Sequence, residues 1–171
     1  ETFNYIKNIN NTLSDSTITH LTNSVLTFSD LITNRKTDYK FDLEMFTSVN
    51  GKTGIYIQYS QVRAKKLIDT IGNRKEEIKE LILNKTDKQL LSKLFLFSHY
   101  LEQSALLNEP HHLANYLYEI SNLFNQFYEN EKLTSITDPN KMASKLYIIN
   151  LFLTTSHNTM FCLGIPPVDE M

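Results

Sequence analysis

Cysteine occurs once in this chain of 171 residues, at Cys162, so no internal disulfide can form and no cysteine cluster can hold a metal. A reducing, cytoplasmic setting fits that usage. Glycine and proline are equally scarce, with 4 of each; few breaks leave room for long helices. No apolar run approaches the roughly 20 residues a membrane span needs. The N-terminus is polar and lacks a signal-peptide layout. It starts at Glu1 rather than a methionine, which predicts a chain cut from something longer. Also missing are a Gly-rich phosphate loop, a paired-carboxylate motif and a Ser/His/Asp arrangement. The formal net charge of -2 argues against a generic nucleic-acid binder, which is usually basic.

What is present is apolar periodicity. With 41% hydrophobic residues the chain can bury a full core. Ile18, Leu21, Val25, Leu26, Phe28, Leu31 and Ile32 recur at helical spacing over residues 14 to 33, with Ser14 or Asp15 able to cap the start. Asn34 to Asn50 reads as a connector. Thr53 to Ile71 predicts a helix closed by Gly72, a suitable residue for a left-handed C′ position. A short basic-acidic helix is expected from Arg74 to Leu83. Thr86 and Gln89 match a capping box opening a helix through Leu107. Pro110 then suits a helix start; Leu113, Tyr116, Leu117, Ile120, Leu123, Phe124 and Phe127 form one apolar face behind it, leaving Tyr128 at its edge. After an Asp138-Pro139-Asn140 turn, a last helix is expected over Lys141 to Cys162, stopped by Gly164 and by Pro166-Pro167. No alternating pattern of strand length occurs. The predicted fold is an all-α helical bundle.

Charge is unevenly placed. Between Gly51 and Lys75, Lys52, Arg63, Lys65, Lys66, Arg74 and Lys75 face a single acid, Asp69. A solvated helix face accounts for this as well as a binding surface does. Tyr59 and Arg63 are four apart, so both project from one helix face. A phenol beside a guanidinium can stack on an unpaired base and hydrogen-bond its edge. On spacing alone an ordinary boundary pair is the simpler reading. His111 and His112, being adjacent, are expected to point apart on a helix and to be poor joint metal ligands. Cys162 reads as a small hydrophobe at a helix end.

The wording of several segments carries more. Glu109-Pro110-His111 through Tyr116-Leu117-Tyr118-Glu119, then Phe124-Asn125-Gln126-Phe127-Tyr128-Glu129, resembles a signature of the anticodon-binding (DALR-type) domain of class I arginyl-tRNA synthetases. Gly51-Lys52-Thr53-Gly54-Ile55-Tyr56-Ile57-Gln58-Tyr59-Ser60-Gln61-Val62-Arg63 resembles the tract that begins that domain. Ahead of it, Phe28-Ser29-Asp30-Leu31 and Arg35 to Asp42 resemble the end of the family's catalytic part. Leu163-Gly164-Ile165 followed by terminal Met171 resembles its C-terminus. These motifs keep their order from about residue 14 to 171.

The resemblance implies a helical tail of the catalytic domain or connector over residues 1 to 45, and an anticodon-binding bundle over 46 to 171. It implies that Tyr59, Arg63, Tyr128 and Met171 hold the anticodon loop of arginine tRNA, with Lys65, Lys66 and Lys145 as candidate contacts to the tRNA backbone. A terminal residue normally frays, so Met171 can act only if Ile165, Pro166 and Pro167 pin it. Binding and positioning are then the chain's work. Amino-acid activation with ATP and Mg would belong to a separate catalytic domain of the parent ligase, because real HIGH and KMSKS motifs are absent here. Lys141-Met142-Ala143-Ser144-Lys145 resembles KMSKS only superficially. No cofactor or metal is implied for the chain itself, and its expected partners are tRNA(Arg) and its own catalytic domain, as a monomer away from membranes.

Departures from the family pattern are Ser60 for the usual alanine, Lys145 for arginine, Thr159 near a usual glycine, and Glu170 for the penultimate arginine. The last reverses a charge beside the proposed RNA surface. Alternatives are a free-standing helical paralogue that binds tRNA or protein without ligation, a helical interaction domain whose aromatics are all core, and the related cysteinyl or methionyl domains.

Overall fold

In the computed structural model, which describes residues 1–72 and 80–171, the described residues form helices and loops with no strand. In chain order the helices are α1 (Thr2–Ile9), α2 (Asp15–Ile32), α3 (Leu43–Phe46), α4 (Gly54–Ile71), α5 (Lys85–Leu94), α6 (Phe97–Leu107), α7 (His111–Asn130) and α8 (Pro139–Cys162), with a 3-10 turn at Leu133–Ser135. The all-α expectation therefore holds. Ser14 caps α2 by accepting from the Thr17 amide. Asp138 caps α8 by accepting from the amides of Asn140 and Lys141, and Pro139 starts the helix where a missing N–H costs nothing.

Helix α7 is the axle. Its apolar face buries Leu113, Tyr116, Leu117, Ile120, Phe124 and Phe127, and α2, α4, α5, α6 and α8 all pack on it. Phe124 stacks on Phe152 of α8 with ring centroids 4.2 Å apart. A second core gathers Ile6, Ile18, Leu21, Val25, Phe46, Ile55 and Val62, and also Val168 from the C-terminal tail. That second core rests on Gly54. A Cβ there would lie 2.3 Å from the Ser24 carbonyl oxygen, so only glycine lets the start of α4 meet the backbone of α2 this closely.

Four expectations need correction. The capping box is Asn84 with Asp87, not Thr86 with Gln89: the Asn84 side chain accepts from the Asp87 amide and the Asp87 carboxylate from the Asn84 amide, each at 2.9 Å. Thr86 instead donates its hydroxyl to Asn84. The single helix through Leu107 is two helices, interrupted at Phe95 and Leu96, where the Leu94 carbonyl accepts from the Tyr116 hydroxyl at 3.1 Å. The connector holds a one-turn helix, α3, capped by Asp42, and α1 precedes the first helix the pattern revealed. Of the helix expected over Arg74 to Leu83, residues 74–79 lie outside the described residues, and Glu80 to Leu83 are not helical.

Candidate nucleic-acid interface

Helical periodicity places Tyr59 and Arg63 on one exposed face of α4, and α7 brings Tyr128 opposite them. The Arg63 guanidinium carbon sits 4.5 Å from the Tyr59 ring centroid and 4.3 Å from that of Tyr128, a cation between two aromatic faces. Arg63 donates to the Tyr59 hydroxyl at 2.6 Å and to the Asn125 side-chain oxygen at 2.9 Å. Its one nearby carboxylate, Glu129, is 3.8 Å away and largely in water. The tyrosines are 38% and 37% exposed, so each offers ring surface to a ligand.

Behind this trio lies a buried relay. The Asn125 amide donates to the Ser60 hydroxyl at 2.9 Å, and Ser60 donates to the Tyr56 carbonyl at 2.9 Å. With its proton committed to that carbonyl, Ser60 can only accept from Asn125. Asn125 must then turn its oxygen toward Arg63. Ser60, read as a small change from alanine, thus fixes the amide that orients the guanidinium.

The C-terminal tail closes the site. Gly164, at φ +69, ends α8, and Ile165 buries in the main core. Gln58, fully buried on α4, then grips the tail twice: its amide donates to the Pro166 carbonyl at 2.6 Å and its oxygen accepts from the Val168 amide at 3.1 Å. Lys65 pairs with Asp169 at 2.7 Å; that hydrogen bond holds the Asp169 carboxyl below its ordinary range. Of the three residues named for pinning the terminus, Ile165 is buried and Pro166 is held through its carbonyl, no contact of Pro167 stands out among the described residues, and Gln58, Val168 and Lys65 hold the rest of the tail. Met171 consequently packs on the second core and enters a cleft of about 570 Å³ together with Tyr59, Arg63, Lys66, Tyr128 and Lys132.

Tyr59, Arg63, Lys66, Tyr128 and Met171 are therefore brought together, whereas Lys65 turns to the tail. Lys145 is a correction. It is 1% exposed, held by both Asp87 oxygens at 2.7 and 2.8 Å and lying 3.3 Å from Glu131. A cation surrounded this way joins α5, α8 and the loop after α7, and cannot reach a phosphate. Lys141 also binds Glu131, and that bond depresses the Glu131 carboxyl below its ordinary range. The residues that sequence reasoning missed are Gln58 and Asn125. Their available signal was a polar side chain on the buried face of an amphipathic helix, where such groups need partners.

His111 and His112 do not diverge. Their rings lie 4.1 Å apart between centroids, and His112 sits 3.2 Å from Glu109. Burial, followed by the charge of His112, lowers the His111 pKa. These three residues are the one metal-capable group among the described residues. They stand at a helix N-terminus with Lys36 acting on Glu109, where positive charge is disfavoured.

Comparison with known proteins identifies the family and the fold. The family model of the DALR anticodon binding domain matches residues 57–171. An arginine–tRNA ligase of Frankia casuarinae is 31% identical over 93% of the chain, which covers 28% of that protein. One from Streptomyces coelicolor is 32% identical over 81% of the chain, 24% of its own length. The chain thus spans about a quarter of the curated relatives it matches. Among solved structures, Thermus thermophilus arginyl-tRNA synthetase superposes with a TM-score of 0.88 at 19% identity over 99% of the chain and 30% of that protein. The Plasmodium falciparum enzyme gives 0.78 at 23% over 98% and 30%. These two likenesses speak for the fold. The chain belongs to the DALR anticodon-binding domain family, and its curated relatives are arginine–tRNA ligases.

Proposed function

We propose that this chain is the anticodon-binding portion of an arginine–tRNA ligase, holding the anticodon loop of tRNA(Arg) in the cleft between α4, α7 and the C-terminal tail. One observation carries the reading: Tyr59, Arg63, Tyr128 and Met171, drawn from distant stretches of sequence, line one cleft. Aromatic faces and a planar donor fork are what unstacked bases require. Binding here orients the tRNA, so the chain contributes positioning rather than bond making.

Activation of arginine with ATP and Mg belongs to a catalytic domain outside these residues. The KMSKS-like segment does not fit nucleotide binding, since Met142, Ala143, Ser144 and Lys145 are buried on α8. Residues 1 to 45 are assigned to the tail of that domain or its connector, and 46 to 171 to the anticodon-binding bundle. We assign the chain the monomeric state. No described helix is long and apolar enough to cross a membrane, and we assign the protein to the cytoplasm.

The test is a filter-binding titration with tRNA(Arg) and with the same tRNA altered at its central anticodon base. Tyr59→Ala and Tyr128→Ala are each expected to weaken binding about tenfold, in line with loss of one stacked base, and to narrow the preference for the natural anticodon. Equal affinity for both tRNAs, together with no effect of either substitution, defeats the proposal in favour of a helical interaction domain.

A further inference from the structure

The α4–α7 seam does not stop at the cleft. One step from the Ser60–Asn125 contact, the Tyr56 hydroxyl donates to the Asn122 side-chain oxygen at 3.3 Å. Tyr56 in turn lies 5.6 Å, centroid to centroid, from Tyr118. Beyond that, Lys52 places its ammonium 5.4 Å from the Tyr118 ring centroid and donates to the Asn115 side-chain oxygen at 2.9 Å. The seam thus carries aromatic and amide side chains along α7 from Asn115 to Tyr128.

Lys52, like Lys40, Lys66, Lys85, Lys88 and Lys132, forms no ion pair among the described residues, and what distinguishes it is the amide and the ring it lies against. Lys7, Lys65, Lys93, Lys141 and Lys145 each pair with a carboxylate, but among the described residues Lys52 meets only a neutral amide and a ring. Among the described residues no carboxylate compensates its charge, which stands on an exposed loop at the N-terminus of α4. A cation so placed over a half-buried tyrosine, in line with a cleft for bases, has the chemistry of a phosphate contact beside a stacking platform.

We infer that Lys52 and Tyr118 form a second RNA contact, Lys52 holding a phosphate and Tyr118 a base or ribose face of the strand that leaves the cleft. Tyr118 and Tyr128 are ten residues apart on α7, about 15 Å along a helix rising 1.5 Å per residue. A splayed loop reaches that far through the nucleotides flanking those in the cleft. A phosphate contact reads no sequence, so this second contact adds affinity and register while the cleft supplies discrimination.

The inference rests on the anticodon reading above, and its test separates the two. Binding of tRNA(Arg) and of its central-base variant is measured across a salt series for the unaltered chain and for Lys52→Ala, Lys52→Glu, Tyr118→Ala, Tyr118→Phe and Tyr128→Ala, with circular dichroism and melting for each. Lys52→Ala is expected to weaken both tRNAs equally, by about fivefold at low salt, and to reduce the log–log salt slope by about 1. Lys52→Glu goes further in the same direction. Tyr118→Ala weakens both tRNAs by about tenfold, and Tyr118→Phe retains binding. Should Tyr118→Ala unfold, the Lys52 variants on the surface loop still decide the matter. Binding by both Lys52 variants within twofold of the unaltered chain, with an unchanged salt slope, overturns the second contact; a loss with Tyr128→Ala in that same series leaves the cleft intact. If Tyr128→Ala is also silent, the anticodon reading falls and this inference falls with it.

Discussion

Arg63 and Lys145 are both cations beside aromatic rings, yet they do opposite work. Arg63 lies between Tyr59 and Tyr128, and its close hydrogen-bond partners are an amide and a phenol. Lys145 lies 5.1 Å from the Phe127 ring centroid and is enclosed by Asp87 and Glu131. Neutral partners orient a cation without cancelling its charge, which leaves it available to an anionic ligand. Carboxylate partners cancel the charge, and burial then turns the group into a structural tie. The function of a basic residue here is set by what it is bonded to, which composition does not reveal.

The sharpest way to break the comparison is Lys145→Ala. It leaves the buried Asp87 without its counter-charge, while Glu131 keeps Lys141, and breaking such a buried pair costs about 3–5 kcal/mol. At this chain length the melting temperature is expected to fall by about 10 °C, while tRNA affinity of the folded protein stays unchanged. A stable Lys145→Ala protein that has lost tRNA binding would return Lys145 to the RNA surface.

Arg63 should give the mirror image. Arg63→Ala removes a partly exposed side chain whose partner, Asn125, can turn to water in the cleft, so stability is expected to change by about 1 kcal/mol or less. Binding is expected to fall between about tenfold and a hundredfold, from lost stacking and lost donors. Arg63→Lys keeps the charge but loses the planar fork that reaches Asn125 and Tyr59 together. It should restore the salt slope without restoring anticodon preference. Parallel titrations of the two tRNAs check this, and full recovery by lysine would mean that charge alone matters.

The contrast also explains what could be read from sequence. That Tyr59 and Arg63 share a helix face is legible from their spacing, whereas Tyr128, which the structure sets against the same guanidinium, is singled out only by motif wording. Tyr116, Phe124 and Phe127 were correctly assigned to the core by their position on the apolar stripe. Lys145 was misread because its partner Asp87 is 58 positions away, and no local pattern announces a long-range ion pair. Thr86 and Gln89 have a good capping-box spacing, but Asn84 and Asp87 have it too, and Asp87 is anchored by Lys145. Gln58 carries no local sign of its role, because its partners lie in a tail more than 100 residues later. Gly54 likewise looks permissive in sequence, and only the Ser24 backbone 2.3 Å from its missing Cβ makes it obligatory.

Lys65–Asp169 tests the comparison at its weakest point, because this ion pair is on the surface yet holds the tail that carries Met171. The hydrogen bond and charge of Lys65 lower the Asp169 carboxyl below its ordinary 3.8. A carboxylate depressed in the folded state stabilises above its ordinary value, and that contribution is lost as pH falls through the depressed one. Tail docking should therefore be steady at neutral pH and loosen below 3.8. The pair's effect is small, since Asp169 is 95% exposed and solvent screens such contacts. At pH 7, Asp169→Asn should speed exchange of the Val168 amide by no more than about fivefold, because Gln58 still holds that amide at 3.1 Å. Hydrogen exchange followed by mass spectrometry checks both statements. A tail that opens fully in Asp169→Asn would mean that the surface pair, and not the buried Gln58, fixes the C-terminus in the cleft. Surface and buried contacts would then have exchanged the roles assigned to them here.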